Sequence, residues 1–380
     1  MNFKKRNLFL KIICLFSAFT VLVSLTGCEN QKKIIYIAIA GSRDDFTKSY
    51  DEGIKMAYED VCRQYKDSNF EIIGEFYDDK GNYELSDRIM SRISKNEEVT
   101  AILASSEPDI CENQIYQSDR SDKILVCPFG TYDRSINTAA YEKVFLTSFS
   151  NKEIGGVMVK IAGYKPDVKN WVICCGNSIS CKEEIEYIKN NSNLNVVDIV
   201  EIDDVSYNLD TVVHNWQMLN VDGAFIIPDG NNNFEFLYNL KRKMPDLCVI
   251  ADSKLDNDSE LGKNGKYFDN FSIVASFYTD LDEMTPNDWK RWNDSWSIHG
   301  YNSFRMIVDT AVEIDSNDPE KIAEHLHKNG YFGKFESYSF NNNGSLVSKE
   351  FPYADFFYDA AENDVKVHLK AIEGKSIPKR

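Results

Sequence analysis

The sequence lacks the short motifs that mark the common classes of enzyme. It contains no G-x-S-x-G nucleophile elbow, no G-x-x-x-x-G-K-[ST] phosphate loop, no G-x-G-x-x-G turn and no H-E-x-x-H helix. Histidine is scarce, with five residues in 380, and no two cysteines are spaced as C-x-x-C, so the usual ligand patterns of a zinc site are absent. We therefore expect a protein that is not an enzyme and that carries neither a metal nor a cofactor.

The apolar run near the N-terminus is too short to be a transmembrane helix, which needs about 20 residues. It spans residues 12–24, follows four basic side chains, and ends at Leu25-Thr26-Gly27-Cys28. This arrangement is typical of a signal peptide, and its last four residues resemble the lipobox of bacterial lipoproteins, in which the cysteine is lipidated. We predict a signal peptide over residues 1–27, lipidation at Cys28 and an anchor linker over 28–32. The alternative is an uncleaved membrane anchor. Either way, we expect the chain to be held at the extracytoplasmic face of the cell membrane.

Positive charge is in deficit throughout the rest of the chain. The net charge is −17, and because residues 1–27 carry four basic and no acidic side chains, the remainder is near −21. So acidic a surface argues against nucleic acid and against broad contact with anionic lipid. Seven cysteines follow Cys28, an odd number, so at least one thiol is unpaired within a monomer. Most lie in apolar runs, which favours small buried side chains.

Strand-like and helix-like segments alternate from Lys33 onward. Solid apolar runs such as IIYIAIA (34–40) are typical of buried parallel strands, and the helical patterns between them imply right-handed crossovers. The alternation of strand-like and helix-like segments restarts near residue 171, which indicates an α/β protein with two doubly wound parallel-sheet lobes. We predict lobe 1 over residues 33–148 plus 278–329, and lobe 2 over 149–277 plus 330–380.

Three stretches resemble one known family, the type I periplasmic solute-binding proteins of the leucine/isoleucine/valine-binding kind. They are IIYIAIAGSRDDF (34–46) with GIKMAYEDV (53–61), EFYDDKGNYELSDRIMSRISKNEEVTAILASS (75–106) and DPEKIAEHLHKNGYFGKFESYSFNNNG (318–344). The resemblance implies two α/β lobes joined by a three-strand hinge, which close on a small polar solute. It also implies delivery of that solute to an ABC permease.

Ligands of open parallel sheets bind beyond the carboxyl ends of the strands, where helix N-termini offer free N–H groups. In lobe 1 these ends carry Ser42, Arg43, Ser105, Ser106, Gly130, Thr131 and Tyr132. The resemblance assigns the grip on a ligand α-carboxylate and ammonium to Ser105 or Ser106 and to Gly130-Thr131. Arg43 could clamp a carboxylate or lie in a solvated loop, and Tyr132 could wall the cleft or simply pack.

In lobe 2 the corresponding residues are Asn177, Asp229 and Asp252. The resemblance implies a carboxylate that pairs with a ligand ammonium, for which Asp252 is the first candidate and Asp229 the second. The alternative for both is helix capping or turn formation, which aspartate favours. Two segments depart from the family pattern: the loop Ser42-Arg43-Asp44-Asp45 and the stretch NSISCKE (177–183). The family's amino-acid pocket is therefore not carried over intact, and an amino-acid-like ligand is the leading expectation.

We expect a monomeric, lipid-anchored solute-binding protein that takes up a small polar ligand by hinge closure. Two alternatives stay open at this point. One is a sensory module of the same fold that signals to a membrane partner, and the other is an extracellular enzyme of an unrecognised type.

Overall fold

The computed structural model describes residues 32–44, 47–118, 120–129, 142–229, 234–255, 268–276, 295–347, 350–359, 361 and 364–373. The predicted signal peptide and Cys28 lie outside the described residues, and so do Gly130, Thr131 and Tyr132. Within the described part of the chain, no helix is both long enough and apolar enough to cross a membrane.

The first sheet is wholly parallel and has the spatial order β2-β1-β3-β4-β5. Its strands are β1 (Lys33–Gly41), β2 (Phe70–Asp78), β3 (Val99–Leu103), β4 (Ile124–Cys127) and β5 (Val144–Leu146). Central β1 is apolar on both faces: Ile35, Ile37 and Ile39 enter one buried cluster, and the residues between them enter another. The continuous apolar run in the sequence thus reflects a strand that is covered on both sides.

The second sheet has seven strands in the order β14-β13-β10-β9-β8-β6-β7. Its strands are β6 (Asn170–Cys175), β7 (Asn195–Glu201), β8 (Gly223–Ile227), β9 (Cys248–Ala251), β10 (Phe271–Val274), β13 (Glu350–Asp359) and β14 (Asp364–Glu373). The first five are parallel, whereas β13 runs antiparallel to β10 and β14 antiparallel to β13. The two doubly wound parallel arrays predicted from the sequence are therefore confirmed, with an antiparallel hairpin added to the second.

Helices connect the strands and cover the sheets. They are α1 (Lys48–Gln64), α2 (Tyr83–Ser94), α3 (Pro108–Ser118), α4 (Asn151–Gly163), α5 (Ile179–Asn191), α6 (Ile202–Met218), α7 (Phe234–Lys243), α8 (Ser295–Glu313) and α9 (Pro319–Asn329), with a short 3₁₀ helix at Ser253–Leu255. Local signals mark their ends. The Ser150 hydroxyl caps α4 and Glu153 completes the capping box. Helix α9 follows an Asp318 cap, begins at Pro319 and ends before Gly330 at φ 69°.

After the second sheet the chain returns to the first. Helix α8 packs along α1, and the segment 331–347 follows it, with β11 (Tyr331–Phe332), β12 (Ser337–Tyr338) and an Asn-Gly turn at Gly344. The Phe340 ring packs on Phe145 of β5, and the Leu146 N–H donates to the Gly344 carbonyl at 2.9 Å. Residues 331–347 thus lie on the first sheet, although the sequence-based limits place them in lobe 2. The chain joins the second sheet only at β13.

All seven described cysteines are free thiols, six of them buried and Cys62 partly so. Their placement in apolar strands and helices agrees with their interpretation as small packing side chains. Burial raises the pKa of Cys175 to about 11 and of Cys181 to about 12, so neither thiol is an activated nucleophile at neutral pH.

Candidate functional site

The strand-end edge of the first sheet brings two predicted ligand loops into contact. Ser42 and Arg43 follow β1, and Ser105 and Ser106 follow the adjacent strand β3. A Cβ placed on Gly41 would lie 2.9 Å from the Ser105 Cα, so the two loops touch only because residue 41 is glycine. Two loops that the sequence places at strand ends are therefore in contact, whereas their contact with a ligand stays a prediction.

Ser105 is buried and holds the start of helix α3. Its N–H donates to Gln114 Oε1 at 2.8 Å, and its hydroxyl accepts from the Glu107 N–H at 3.2 Å. The same Gln114 side chain donates to the Ala40 carbonyl at 3.3 Å, which ties the loop to β1. Ser105 therefore stabilises the turn that leads into α3, and its contact with a ligand stays a prediction. The hydroxyl of neighbouring Ser106 is buried and has no hydrogen-bond partner among the described residues.

Arg43 is anchored within the first lobe. Its guanidinium pairs with Asp51 in the first turn of α1, its Nε donates to the Gly41 carbonyl at 3.1 Å, and it lies 5.3 Å from the centre of the Phe76 ring. Burial raises the pKa of Asp51 to about 6, against the opposing effect of the Arg43 charge. Asp51 thus balances the positive charge of Arg43, the one cation of the loop. Arg43 is therefore better placed to hold the loop than to bind a ligand carboxylate.

Carboxylates surround the same edge. The Ser42 hydroxyl donates to Asp44 Oδ2 at 2.9 Å, and Asp79, which follows β2, is buried with its N–H donating to the Gly41 carbonyl at 3.3 Å. Desolvation and then the charges of Asp44 and Asp79 raise the pKa of Glu107. The edge of the first sheet therefore combines serine hydroxyls with a negative potential.

Asp229 binds the turn that precedes helix α5 in the second lobe. Its two carboxylate oxygens accept from the Asn177 N–H at 2.7 Å and the Ser178 N–H at 3.1 Å. Burial would raise the pKa of Asp229, but these hydrogen bonds and those from the Ser178 and Cys181 side chains outweigh it, so the pKa is lowered. A Cβ on Gly176 would lie 2.1 Å from the Asp229 Cγ, which explains the glycine at the end of β6. Asp229 thus stabilises the turn that leads into α5, whose cap is the Ser178 side chain, and Asn177 is exposed beside it.

Asp252 follows β9, as the sequence predicts, but it is fully buried. Its Oδ1 accepts from the Ser253 hydroxyl at 2.8 Å, and its Oδ2 lies 3.3 Å from the Lys254 ammonium. Glu184 of α5 is also fully buried, with Oε1 3.8 Å from the same ammonium. Of these three charged side chains only Lys254 has exposed surface, 23% of its side chain. The group that the second lobe presents at this strand end is therefore a lysine rather than the expected acid.

Sequence reasoning missed Lys254 and Glu184. Lys254 could have been flagged because it lies two residues beyond the strand-end Asp252, but Glu184 lies 70 positions away and no local pattern connects them. Among the described residues, no group of three or more His, Cys, Asp or Glu side chains is arranged to hold a metal ion.

The two strand-end edges lie beside the crossover between the sheets. After β5 the chain passes through Thr147–Phe149 to α4, and the Phe149 N–H donates to the Ser276 carbonyl at 2.6 Å, just beyond β10. The Ser276 hydroxyl contacts Ser253. On the other side of the crossover, His299 of α8 is buried between the Pro128 carbonyl, 3.0 Å from Nε2, and Glu336, 3.1 Å from Nδ1. The crossover is thus held by buried polar contacts from both halves of the chain.

A separate cavity of about 400 Å³ lies at the far end of α1, where the helix leaves the strand-end edge. Its polar wall is self-paired: Asp309 accepts from Tyr65 at 2.8 Å, from Tyr331 at 3.1 Å and from Arg305 at 2.8 Å. Because these groups satisfy one another, we do not assign a ligand to this cavity.

The fold is shared with solved substrate-binding proteins of ABC transporters. One from Desulfitobacterium hafniense in complex with Leu has a TM-score of 0.69 at 16% identity, with 88% of this chain and 100% of that chain covered. The branched-chain amino acid transporter substrate-binding protein LivJ from Streptococcus pneumoniae, in complex with isoleucine, has a TM-score of 0.73 at 12% identity, with 90% and 99% covered. A solute-binding protein from R. palustris in complex with 4-hydroxybenzoate has a TM-score of 0.74 at 12% identity, with 90% and 98% covered.

No protein-family model and no curated protein sequence matches the chain. The likeness to the solved structures extends over 88–90% of the chain. It establishes the type I periplasmic binding protein fold that the sequence resemblance implies, and at these identities it establishes the fold alone.

Proposed function

We propose that this chain is a solute-binding protein that captures a small polar ligand between its two strand-end edges. The observation that carries the proposal is that both parallel sheets end beside the same crossover, with buried polar groups on each edge. Ligands of open parallel sheets bind outside such carboxyl ends. The three structural relatives above hold leucine, isoleucine or 4-hydroxybenzoate according to their descriptions, so a small organic acid or amino acid is the first class to test.

We also propose a cellular location and a membrane partner for the protein. We infer from the N-terminal sequence that Cys28 is lipidated and holds the protein at the extracytoplasmic face of the membrane, where it would deliver its ligand to an ABC permease. A single acyl chain anchors only marginally, and more than one gives stable attachment. Metabolic labelling with a palmitate analogue should tag the wild-type chain and leave a Cys28→Ala variant in the soluble fraction. Labelling that is equal in the two would overturn the anchor.

Ligand binding is tested by thermal unfolding of the purified protein, residues 28–380, against defined probes. The panel pairs each acid with the amide of its only carboxylate: L-leucine and L-leucinamide, L-isoleucine and L-isoleucinamide, benzoate and benzamide, and 4-hydroxybenzoate and 4-hydroxybenzamide. A bound probe at 100 times its Kd should stabilise the folded state by about 2.7 kcal/mol and raise Tm. Mass spectrometry of small molecules released from protein purified without denaturation provides a second readout. Absence of both a Tm rise and a co-purified solute would contradict the proposed function.

A further inference from the structure

We propose that Lys254 is the ligand-binding residue of the second lobe and that it donates to a carboxylate of the solute. This inference rests on the proposed function and names the ligand chemistry of that same site. Lys254 lies in the short 3₁₀ helix Ser253–Leu255, directly after the central strand β9. It thus stands at the position where a ligand of an open parallel sheet is expected.

Two buried carboxylates hold the Lys254 ammonium from the protein interior. Asp252 and Glu184 have no exposed side-chain surface, and they approach the Lys254 Nζ to 3.3 Å and 3.8 Å respectively. Burial would lower the pKa of Lys254, but the two carboxylate charges, Asp252 first, outweigh it, so the pKa is raised and the side chain is positively charged at neutral pH. Because the acids are sealed from solvent, a ligand cannot reach them, and Lys254 is the charged group of this cluster that it can touch.

The ammonium has donor capacity to spare. A lysine ammonium carries three N–H donors, and both contacts from the described residues are longer than the 2.7–2.9 Å of a good charge-assisted hydrogen bond. The Lys254 side chain as a whole is 23% exposed, so the proposal requires that its ammonium turns one donor toward the cleft while the two acids hold it from within. The partner must be an acceptor, and a carboxylate oxygen makes the stronger bond because both groups are then charged.

The polarity of this edge is opposite to the sequence-based expectation. An acid at Asp252 would select an ammonium group of the ligand, whereas a lysine repels one and selects an acceptor. The edge of the first sheet, with Asp44, Asp79 and Glu107, is the negative side. A solute that carries a carboxylate toward the second lobe therefore fits this chain better than one that carries an amine there.

The test compares matched acid and amide probes on four proteins by calorimetry. The proteins are wild type, Lys254→Met, Lys254→Met combined with Asp252→Asn, and the control Lys189→Met, which removes an exposed lysine at the far end of α5. The probes are the acid and amide pairs used for ligand binding. We expect the acid that binds wild type best to lose about 10- to 100-fold in affinity in Lys254→Met, the size of one charge-assisted hydrogen bond. Its amide should change less than about threefold, and Lys189→Met should match wild type.

The double variant guards against a failure to fold, because Lys254→Met alone leaves two buried carboxylates without their cation. Asp252→Asn removes one of these charges and retains an acceptor for Ser253, and the double variant should show the same selective loss of acid binding. Unchanged acid affinity in either folded variant would overturn the role of Lys254 while leaving the proposed function intact. An equal loss for acid and amide would overturn the carboxylate assignment. No binding of any probe to wild type, with no co-purified solute, would overturn the proposed function and this inference with it.

Discussion

Helices α1 and α8 cross at two glycines, and replacing one of them tests how the first lobe is assembled. A Cβ on Gly300 would lie 2.1 Å from the Tyr50 carbonyl oxygen, and a Cβ on Gly53 would lie 1.8 Å from the Ser297 carbonyl oxygen. Ordinary van der Waals contact begins near 3.4 Å. Both obstacles are backbone atoms, which cannot rotate away. Gly300→Ala therefore requires the two helices to separate by more than about 1 Å.

The expected loss of stability combines two opposing effects. Alanine is favoured over glycine within a helix by about 1 kcal/mol. Overpacking costs about 1–3 kcal/mol and occasionally more, and a 1 Å gap across an interface forfeits a quarter to a half of its dispersion energy. The interface is large and apolar, since Ile54, Ala57 and Phe304 are all fully buried along it. We expect Gly300→Ala to lower the free energy of unfolding by about 2 kcal/mol net.

The matched control is Gly163→Ala at the last residue of α4, where a Cβ would meet nothing within 4 Å. Urea denaturation followed by circular dichroism should show a lower midpoint for Gly300→Ala and an unchanged or higher midpoint for Gly163→Ala. The double variant Gly53→Ala/Gly300→Ala should lose less than the sum of the two single changes, because the first substitution has already separated the helices. A midpoint for Gly300→Ala that equals or exceeds that of wild type would refute the reasoning.

Three further predictions concern charged side chains. Lys241 donates to three backbone carbonyls, so Lys241→Met should lower the free energy of unfolding in urea by about 3 kcal/mol. The control Lys243→Met loses an exposed ion pair on the same helix and should lower it by less than about 1 kcal/mol. Asp51 has its pKa raised to about 6 by burial, so its contribution to stability is lost as pH rises through 6. Wild type should gain about 2 kcal/mol relative to Asp51→Asn between pH 7.5 and 4.5, and a constant difference would contradict the shift. Asp229→Ala removes the carboxylate that accepts from the Asn177 and Ser178 N–H groups ahead of α5 and should lower the free energy of unfolding by about 1–2 kcal/mol in urea denaturation, with Asp229→Asn intermediate. An unchanged midpoint for Asp229→Ala would contradict this role.

The regular part of the fold could be predicted because each element carries its own local signal. The buried strands are continuous apolar runs, and α9 shows a proline at its start and a glycine at its end, so both were recognisable without tertiary information. The hairpin β13–β14 was missed, although Val365, Val367 and Leu369 alternate with polar residues in the manner of a strand. Pro352 within β13 weakens that pattern, because proline cannot donate to a sheet.

The candidate site was less predictable because its decisive contacts join distant parts of the chain. The sequence correctly places Ser42, Ser105 and Asp252 just after strands, because the ends of buried strands can be recognised from their apolar runs. Whether a strand-end acid faces solvent or is buried beneath another side chain depends on its neighbours in space. The acid Glu184 comes from a helix that begins between β6 and β7, and only the assembled sheet brings it to Lys254. That Asp252 pairs with Lys254 and does not face the solvent therefore follows from tertiary packing rather than from its place after β9.

A continuous set of polar contacts joins the crossover to Lys254. The Phe149 N–H donates to the Ser276 carbonyl, the Ser276 hydroxyl contacts Ser253, and the Ser253 hydroxyl donates to Asp252. Asp252 in turn pairs with Lys254. Each of these groups other than the lysine is buried, so each contact is costly to break without a replacement partner. A hinge movement at Phe149 must then carry Ser253 and the acid that orients Lys254 with it. In this arrangement, the geometry of the ligand-facing ammonium and the relative position of the two lobes are set by the same buried groups.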